Sequence, residues 1–342
     1  MKIGVWNYYE VFNDNNSLFL NASVEIDENL LSPFHEMYLY GKKHDIHFMT
    51  LDVVEKFEDM DGFLFLDFPN LKNSYVKQAL KLDLPKYLVI FESEAIKPDN
   101  WNSDNHKIFD KIFTWSDELI DNNKYFKLNF PHSLPKTINK DVSQKKKLCT
   151  LIARNNRINY PLELYTKREE AIRWFEKFHP NDFDLYGGRW DIHMHQNRYI
   201  RSLLRRAKMN KLFKAHFPSF KGSVSSKKNT LEKYKFSICY ENARDIPGYI
   251  TEKIFDCFLA GCVPVYWGAN NITDHVPSDC FIDKREFNSY EELYQYMSNI
   301  SDEEYIQYLD NIELFFNSDK VGQFTNEYFI KTIVSNISKQ SK

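Results

Sequence analysis

A carboxylate and an ammonium stand side by side at Glu252 and Lys253, where an irregular loop gives way to a regular apolar pattern. They belong to the stretch FSICYENARDIPGYITEKIFDCFLAGCVPVYWG, residues 236–268. Its pattern predicts a strand ending at Tyr240, a loop holding Asn242 and Gly248, and a helix opening at Thr251. Ile254, Phe255, Phe258 and Leu259 make the buried helix face, with Thr251 placed as N-cap and Gly261 as the C′ residue. The start of such a helix carries N–H groups without an intrahelical partner and the positive end of the dipole, which is where a phosphate binds. Lys253 adds a full charge there. Glu252 repels a phosphate but is suited to accept hydrogen bonds from ribose or sugar hydroxyls. An ordinary βαβ unit with a dipole-complementing glutamate gives the same pattern, so physics alone leaves both readings open.

Other chemistries are absent or weakly signalled. The ten glycines form no GxGxxG, no GxxxxGK[ST] and no GxSxG, so the usual dinucleotide cradle, P-loop and nucleophile elbow are missing. Two Asp-x-Asp pairs, Asp59/Asp61 and Asp182/Asp184, are about as many as composition produces by chance. His193 and His195 could ligate a metal, yet no third ligand follows at a familiar spacing. The five cysteines make no CxxC pair and read as small buried hydrophobes rather than a disulfide framework or a zinc site. Between Ile192 and Leu231 there is no acidic residue but ten basic ones, Arg198 to Lys228. That block is a solvated helix face, a diphosphate neighbour at the edge of a site, or a contact for anionic lipid.

The elements that must position these residues follow from length and patterning. A chain of 342 residues with 43% hydrophobic residues makes about two domains with real cores. A net charge of −3 does not indicate a generally basic nucleic-acid binder. No apolar run approaches the ~20 residues that cross a bilayer, and MKIGVWNYYE reads as a first strand rather than a signal peptide, so a cytoplasmic location is expected. Strand patterns KIGVW, IHFMTL, FLFLDF, YLVIF and KIFTW alternate with helical ones at 28–43, 73–81 and 105–110. The alternation breaks over 131–147, which has linker composition, and restarts with LCTLIA, FDLYG, KFSICY and VPVYW. In the helix after LCTLIA, Ala171, Trp174, Phe175 and Phe178 form one apolar stripe. Later helices open at Ser289 and Ser301, each with a glutamate three residues on. The expectation is an α/β chain of two Rossmann-like domains facing each other across a cleft, 1–140 and 146–342, with the last helix free to pack back on the first.

The run YEN, then YITEK, then AGCVPVYWG resembles the donor-site signature of the α-1,3/4-fucosyltransferases, glycosyltransferase family 10. The resemblance covers most of 80–285. It implies a GT-B architecture, GDP-fucose as donor, and transfer with inversion to an N-acetylglucosamine or glucose-type hydroxyl in α-1,3 or α-1,4 linkage, on a glycan such as a bacterial surface polysaccharide. No cofactor is required on this reading, and a divalent metal is at most stimulatory. Asn242, Tyr249, Glu252 and Lys253 match donor-binding positions, with Glu252 and Tyr249 on the ribose and fucose side and Lys253 on the diphosphate. Arg189 of FDLYGGRW matches the arginine that grips the diphosphate after a Gly-containing turn.

Inversion by single displacement needs a general base for the acceptor hydroxyl. The family places a glutamate just after an N-domain strand, and YLVIFESEAIKP supplies Glu92 and Glu94. Glu92 fits the Glu-Ser pairing and is preferred; spacing from Pro98 favours Glu94. The chain ends VSNISKQSK without the heptad repeats and basic tail of many bacterial members, so peripheral membrane contact would fall to the 192–231 block. Two other readings stay open: a GT-B transferase with a different nucleotide sugar, and a noncatalytic anion- or nucleic-acid-binding protein. Trp101 and Trp115 read as core rather than as a sugar platform.

Overall fold

The computed structural model describes residues 1–21, 31–192, 199, 203, 206 and 215–338. By internal contacts the chain divides into two units, one of Met1–Ser133, Pro247–Tyr249 and Gly322–Lys342, the other of Leu134–Ile246 and Ile250–Val321. Residues 134–140 therefore group with the second unit and the C-terminal helix with the first.

The first unit is built on a parallel sheet in the order β2-β1-β3-β4-β5-β6, with β1 Lys2–Asn7, β2 His47–Thr50, β3 Gly62–Leu66, β4 Lys86–Ile90, β5 Lys111–Thr114 and β6 Tyr125–Lys127. Every residue of β3 is buried, as befits a strand covered on both faces. Because side chains alternate, Leu64, Leu66, Tyr87 and Val89 pack on one face with Phe34 and Met37 of the helix Ser32–Lys43 and with Phe329, Ile330 and Ile333 of the helix Asn326–Ser338. Phe63, Phe65, Leu88 and Ile90 pack on the other with Val76 and Ala79 of the helix Ser74–Lys81. Asn73 caps that last helix, its Oδ1 accepting from the Tyr75 and Val76 amides. The helical pattern at 105–110 is realised only as a short turn, Ser103–His106.

The second unit holds a parallel sheet in the order β11-β10-β9-β7-β8, with β7 Lys147–Ile152, β8 Phe183–Tyr186, β9 Tyr234–Tyr240, β10 Val263–Trp267 and β11 Ile282–Asp283. The helix Tyr165–Phe178 buries Tyr165, Arg168, Ala171, Ile172 and Phe175. This corrects the expected stripe: Trp174 is half-buried and Phe178 exposed, and the buried face runs through an arginine that apolar patterning skipped. The helices at 290–299 and 302–316 start as expected, Ser289 Oγ accepting from the Glu292 amide and Ser301 forming a complete capping box with Glu304. The 134–140 segment is not loose, since Lys140 pairs with Asp310 and Glu313 and the Ile138 amide donates to Glu313.

Candidate active site

In the second unit, Arg189 follows β8 and Asn242 follows β9, so both stand at the carboxyl edge of a parallel sheet, and the helix Glu252–Leu259 starts from the same edge. Ligands of open parallel sheets bind along such edges.

The loop after β9 is held from beneath. Arg168, buried in its helix, donates through Nη2 to the carbonyls of Tyr240 (2.6 Å) and Glu241 (2.8 Å) and to Asn242 Oδ1 (3.1 Å). The Asn242 carbonyl accepts from the Leu164 amide at 3.1 Å. Asn242 is thus fixed at both its side chain and its backbone by the element that precedes the loop in sequence.

Glu241 is the residue that sequence reasoning missed. Its side chain is 0% exposed, and it accepts from the Thr251 amide (2.8 Å), the Thr251 hydroxyl (2.8 and 3.0 Å to its two oxygens) and Lys253 Nζ (3.0 Å). Gly268, the last residue of the VPVYWG run, makes this possible: a Cβ there would stand 2.5 Å from Glu241 Cγ and 2.3 Å from the Tyr266 hydroxyl. No local spacing links positions 241 and 253; only the arrival of the helix start beside the end of β9 does.

Two expectations change accordingly. Thr251 occupies the N-cap position, but its hydroxyl serves Glu241 instead of accepting from a helix amide. Lys253 does not present an isolated charge: its ammonium also donates to Thr251 Oγ1 at 2.9 Å and lies 3.7 Å from Glu252. Lys253 is 25% and Glu252 38% exposed, so both reach solvent while the glutamate beneath them does not. The arrangement is an ammonium anchored from below by a buried carboxylate, which fixes its position and moderates its field.

Arg189 sits half-buried in the left-handed region, φ 71°, in a turn strapped to the segment after β7. Asn155 donates through Nδ2 to the Arg189 carbonyl at 3.1 Å and its amide donates to the Gly188 carbonyl at 2.9 Å, while Trp190 Nε1 donates to the Ala153 carbonyl at 2.7 Å. A non-glycine residue held at positive φ is strain that the surrounding bonds must offset, and such residues cluster at functional sites.

In the first unit, Glu92 follows β4 and Asp67 follows β3. Asp67 is 3% exposed with φ 60°, and its Oδ1 accepts from the amides of Phe91 (2.8 Å) and Glu92 (3.0 Å) and from Asn100 Nδ2 (2.6 Å). Burial, with the Glu92 charge adding to it, pushes the Asp67 carboxyl up to about 7. The Glu92 carbonyl accepts from Trp101 Nε1 (3.0 Å) and Asn100 Nδ2 (3.1 Å), and its Oε1 accepts from the Tyr9 hydroxyl at 2.5 Å. Glu94, two residues on, is exposed in a turn. Tyr249, grouped with this unit, is buried with its ring 4.7 Å from that of Trp115, which itself packs 4.9 Å from Trp101.

The remaining motifs have local duties or fall outside the description. Asp184 pairs with Lys147 and accepts from Tyr234, Asp182 accepts from Tyr294, and Asp61 accepts from the Lys2 amide. His193, His195 and six of the ten basic residues of the 192–231 block lie outside the described residues; of the others, Lys221 and Lys227 pair with Asp184 and Asp256. Among the described residues, no helix is long and apolar enough to cross a membrane.

Against known proteins, residues 185–330 match the family model described as glycosyltransferase family 10 (fucosyltransferase) C-term. An alpha-(1,3)-fucosyltransferase of Helicobacter pylori is 32% identical over 75 residues, 22% of this chain and 16% of that protein. An alpha-(1,4)-fucosyltransferase of Arabidopsis thaliana is 40% identical over 70 residues, 20% of this chain and 17% of the relative. The match thus spans about a sixth of the length of each of these curated relatives. Among solved structures, an alpha1,3-fucosyltransferase with GDP-fucose superposes with a TM-score of 0.58 at 14% identity, covering 100% of this chain and 91% of that one. An alpha-glucosyltransferase in complex with UDP-glucose and DNA gives 0.61 at 10% identity, covering 99% of each chain. At those identities the likeness is one of fold, the GT-B architecture. The match to glycosyltransferase family 10 thus lies in residues 185–330, and both parallel-sheet α/β units have the GT-B architecture.

Proposed function

We propose that this protein is an inverting fucosyltransferase that moves L-fucose from GDP-fucose to a GlcNAc- or Glc-type hydroxyl, in α-1,3 or α-1,4 linkage, on a glycan such as a bacterial surface polysaccharide. The observation that carries the reading is the family match over 185–330, because that stretch contains Arg189, Asn242, Tyr249, Glu252 and Lys253. The fold by itself does not choose the donor, since it is shared with a protein solved with UDP-glucose.

On this reading Lys253 and Arg189 meet the diphosphate, Asn242 and Glu252 face the ribose and sugar hydroxyls, and Tyr249 closes the fucose side. Glu92 is the general base. Its clamped backbone and the Tyr9 hydrogen bond favour it over the exposed Glu94, because a base must be held in one geometry to take a proton in the transition state. The acceptor oxygen attacks the anomeric carbon in line, its proton passes to Glu92, and the bond to GDP breaks. The two cations stabilise the charge growing on the leaving diphosphate. Peripheral contact with a membrane through the basic block 192–231, at the cytoplasmic face, accompanies this reading.

The test is a transfer assay with GDP-fucose and type I and type II N-acetyllactosamine, with the product linkage determined. Lys253→Ala is expected to lose about 10² or more in turnover, comparable with removal of one transition-state donor. Unchanged turnover removes Lys253 from the mechanism. Equal or better transfer from another sugar nucleotide in a donor panel replaces GDP-fucose.

A further inference from the structure

Segment 8–12 of the first unit carries exposed aromatic rings beside the base. Tyr8 is 37% and Tyr9 46% exposed, their rings 5.1 Å apart and edge-on. Neither ring is on a loose loop. The Tyr8 amide donates to the Leu66 carbonyl (3.0 Å), continuing the β1–β3 pairing one residue past the strand, and the Tyr9 amide donates to Asn7 Oδ1 (2.8 Å). The Asn7 amide in turn donates to Asn13 Oδ1 (2.8 Å). Lys97, whose side chain is buried, sets its ammonium 4.0 Å from the centre of the Tyr8 ring. Tyr9 reaches Glu92 directly through its hydroxyl. Large apolar rings kept partly in water on a rigid support, touching a carboxylate, serve contact rather than core packing.

We propose that Tyr8 and Tyr9 form the seat of the acceptor sugar, Tyr8 stacking on a pyranose ring and Tyr9 positioning Glu92 for the hydroxyl that attacks. The chemistry selects a class of ring. In a gluco-configured pyranose the substituents are equatorial, so each face offers axial C–H groups to an aromatic surface; an axial hydroxyl interrupts that face. This rests on Glu92 as the base of the transfer proposed above. Tyr9 acts through Glu92 and is a positioning residue. Trp101 and Trp115, the aromatic pair visible in sequence, pack against one another, and the indole N–H of each donates to a backbone carbonyl.

The experiment uses the full chain. N-acetyllactosamine is titrated in the presence of GDP by saturation-transfer NMR, and acceptor KM and kcat are measured with GDP-fucose. Tyr8→Ala is expected to weaken acceptor binding and raise its KM roughly three- to tenfold, the worth of one aromatic contact, with GDP affinity unchanged. Tyr8→Trp keeps the platform and is expected to bind as well as the native chain, which separates a lost contact from a misfolded segment. Tyr9→Phe keeps the ring and is expected to lower kcat with little change in acceptor KM. Acceptor binding and KM unaffected by Tyr8→Ala overturns the proposal. Acceptor binding that is lost in Tyr8→Ala while the native chain transfers no sugar keeps the seat and overturns the transfer reading instead.

Discussion

Replacing Glu241 by glutamine removes one charge from the centre of the candidate donor site without changing its shape. The amide oxygen still accepts from the Thr251 amide and hydroxyl, but an NH2 group now stands where Oε2 accepted from Lys253 at 3.0 Å. A hydrogen bond to a charged group contributes about 1.5–3 kcal/mol. The lysine is 25% exposed and turns partly to water, which places the expected loss near the lower end, about 2 kcal/mol. For a unit of this size that is a fall in Tm of about 4–8 °C. Glu241→Ala also leaves the Thr251 amide and a buried cavity unfilled, and is expected to lose about 4 kcal/mol. Differential scanning calorimetry of the three proteins at one pH measures both values. If Glu241→Gln melted with the native protein while Glu241→Ala lost only the cavity contribution, the carboxylate would not be what anchors Lys253, and the account of a charge held in place from below would fail.

Asp67 makes stability depend on pH. Its folded-state carboxyl titrates near 7 against an ordinary 3.8, so the native state binds the proton more tightly than the unfolded chain. The group therefore costs nothing below about pH 4, and its cost grows through pH 4–7 and is complete above 7. Asp67→Asn is expected to gain on the order of 2–4 kcal/mol relative to the native protein between pH 4 and pH 8, since asparagine also tolerates φ 60°. Parallel Tm-versus-pH curves for the two proteins contradict this. Gly261 sits at φ 56° just past the helix Glu252–Leu259, its amide bonded to Phe258 O and that of Cys262 to Cys257 O, the paired closure of a Schellman motif. A Cβ there would stand 2.1 Å from the Asn139 carbonyl, so Gly261→Ala is expected to cost about 2 kcal/mol or more in urea unfolding; a shift in midpoint too small to resolve would show that the 139 segment yields freely.

The strands KIGVW, FLFLDF, YLVIF, KIFTW, LCTLIA, FDLYG, KFSICY and VPVYW were legible because a sheet buried on both faces writes itself as short apolar runs. Helix ends at Ser289, Ser301 and Gly261 were legible because capping is a local matter of side chains reaching amides a few residues away. The edge strands β6 and β11, three and two residues long, left too little pattern to read. The residues that organise the site were hidden for a different reason. Arg168 interrupts the apolar stripe of its own helix yet spends its hydrogen bonds on a loop more than seventy positions away. Glu241 is buried only because Thr251 and Lys253 meet it and Gly268 leaves it room. Tyr9 joins Glu92 across eighty-three positions. Local pattern thus determined which elements form and where they stop, and through the YEN, YITEK and VPVYWG runs it pointed to the candidate donor loop. Which charges are paired, which aromatic rings stay in water and which carboxylate is clamped were decided by tertiary structure, because burial and pairing depend on partners that only folding brings within hydrogen-bond reach.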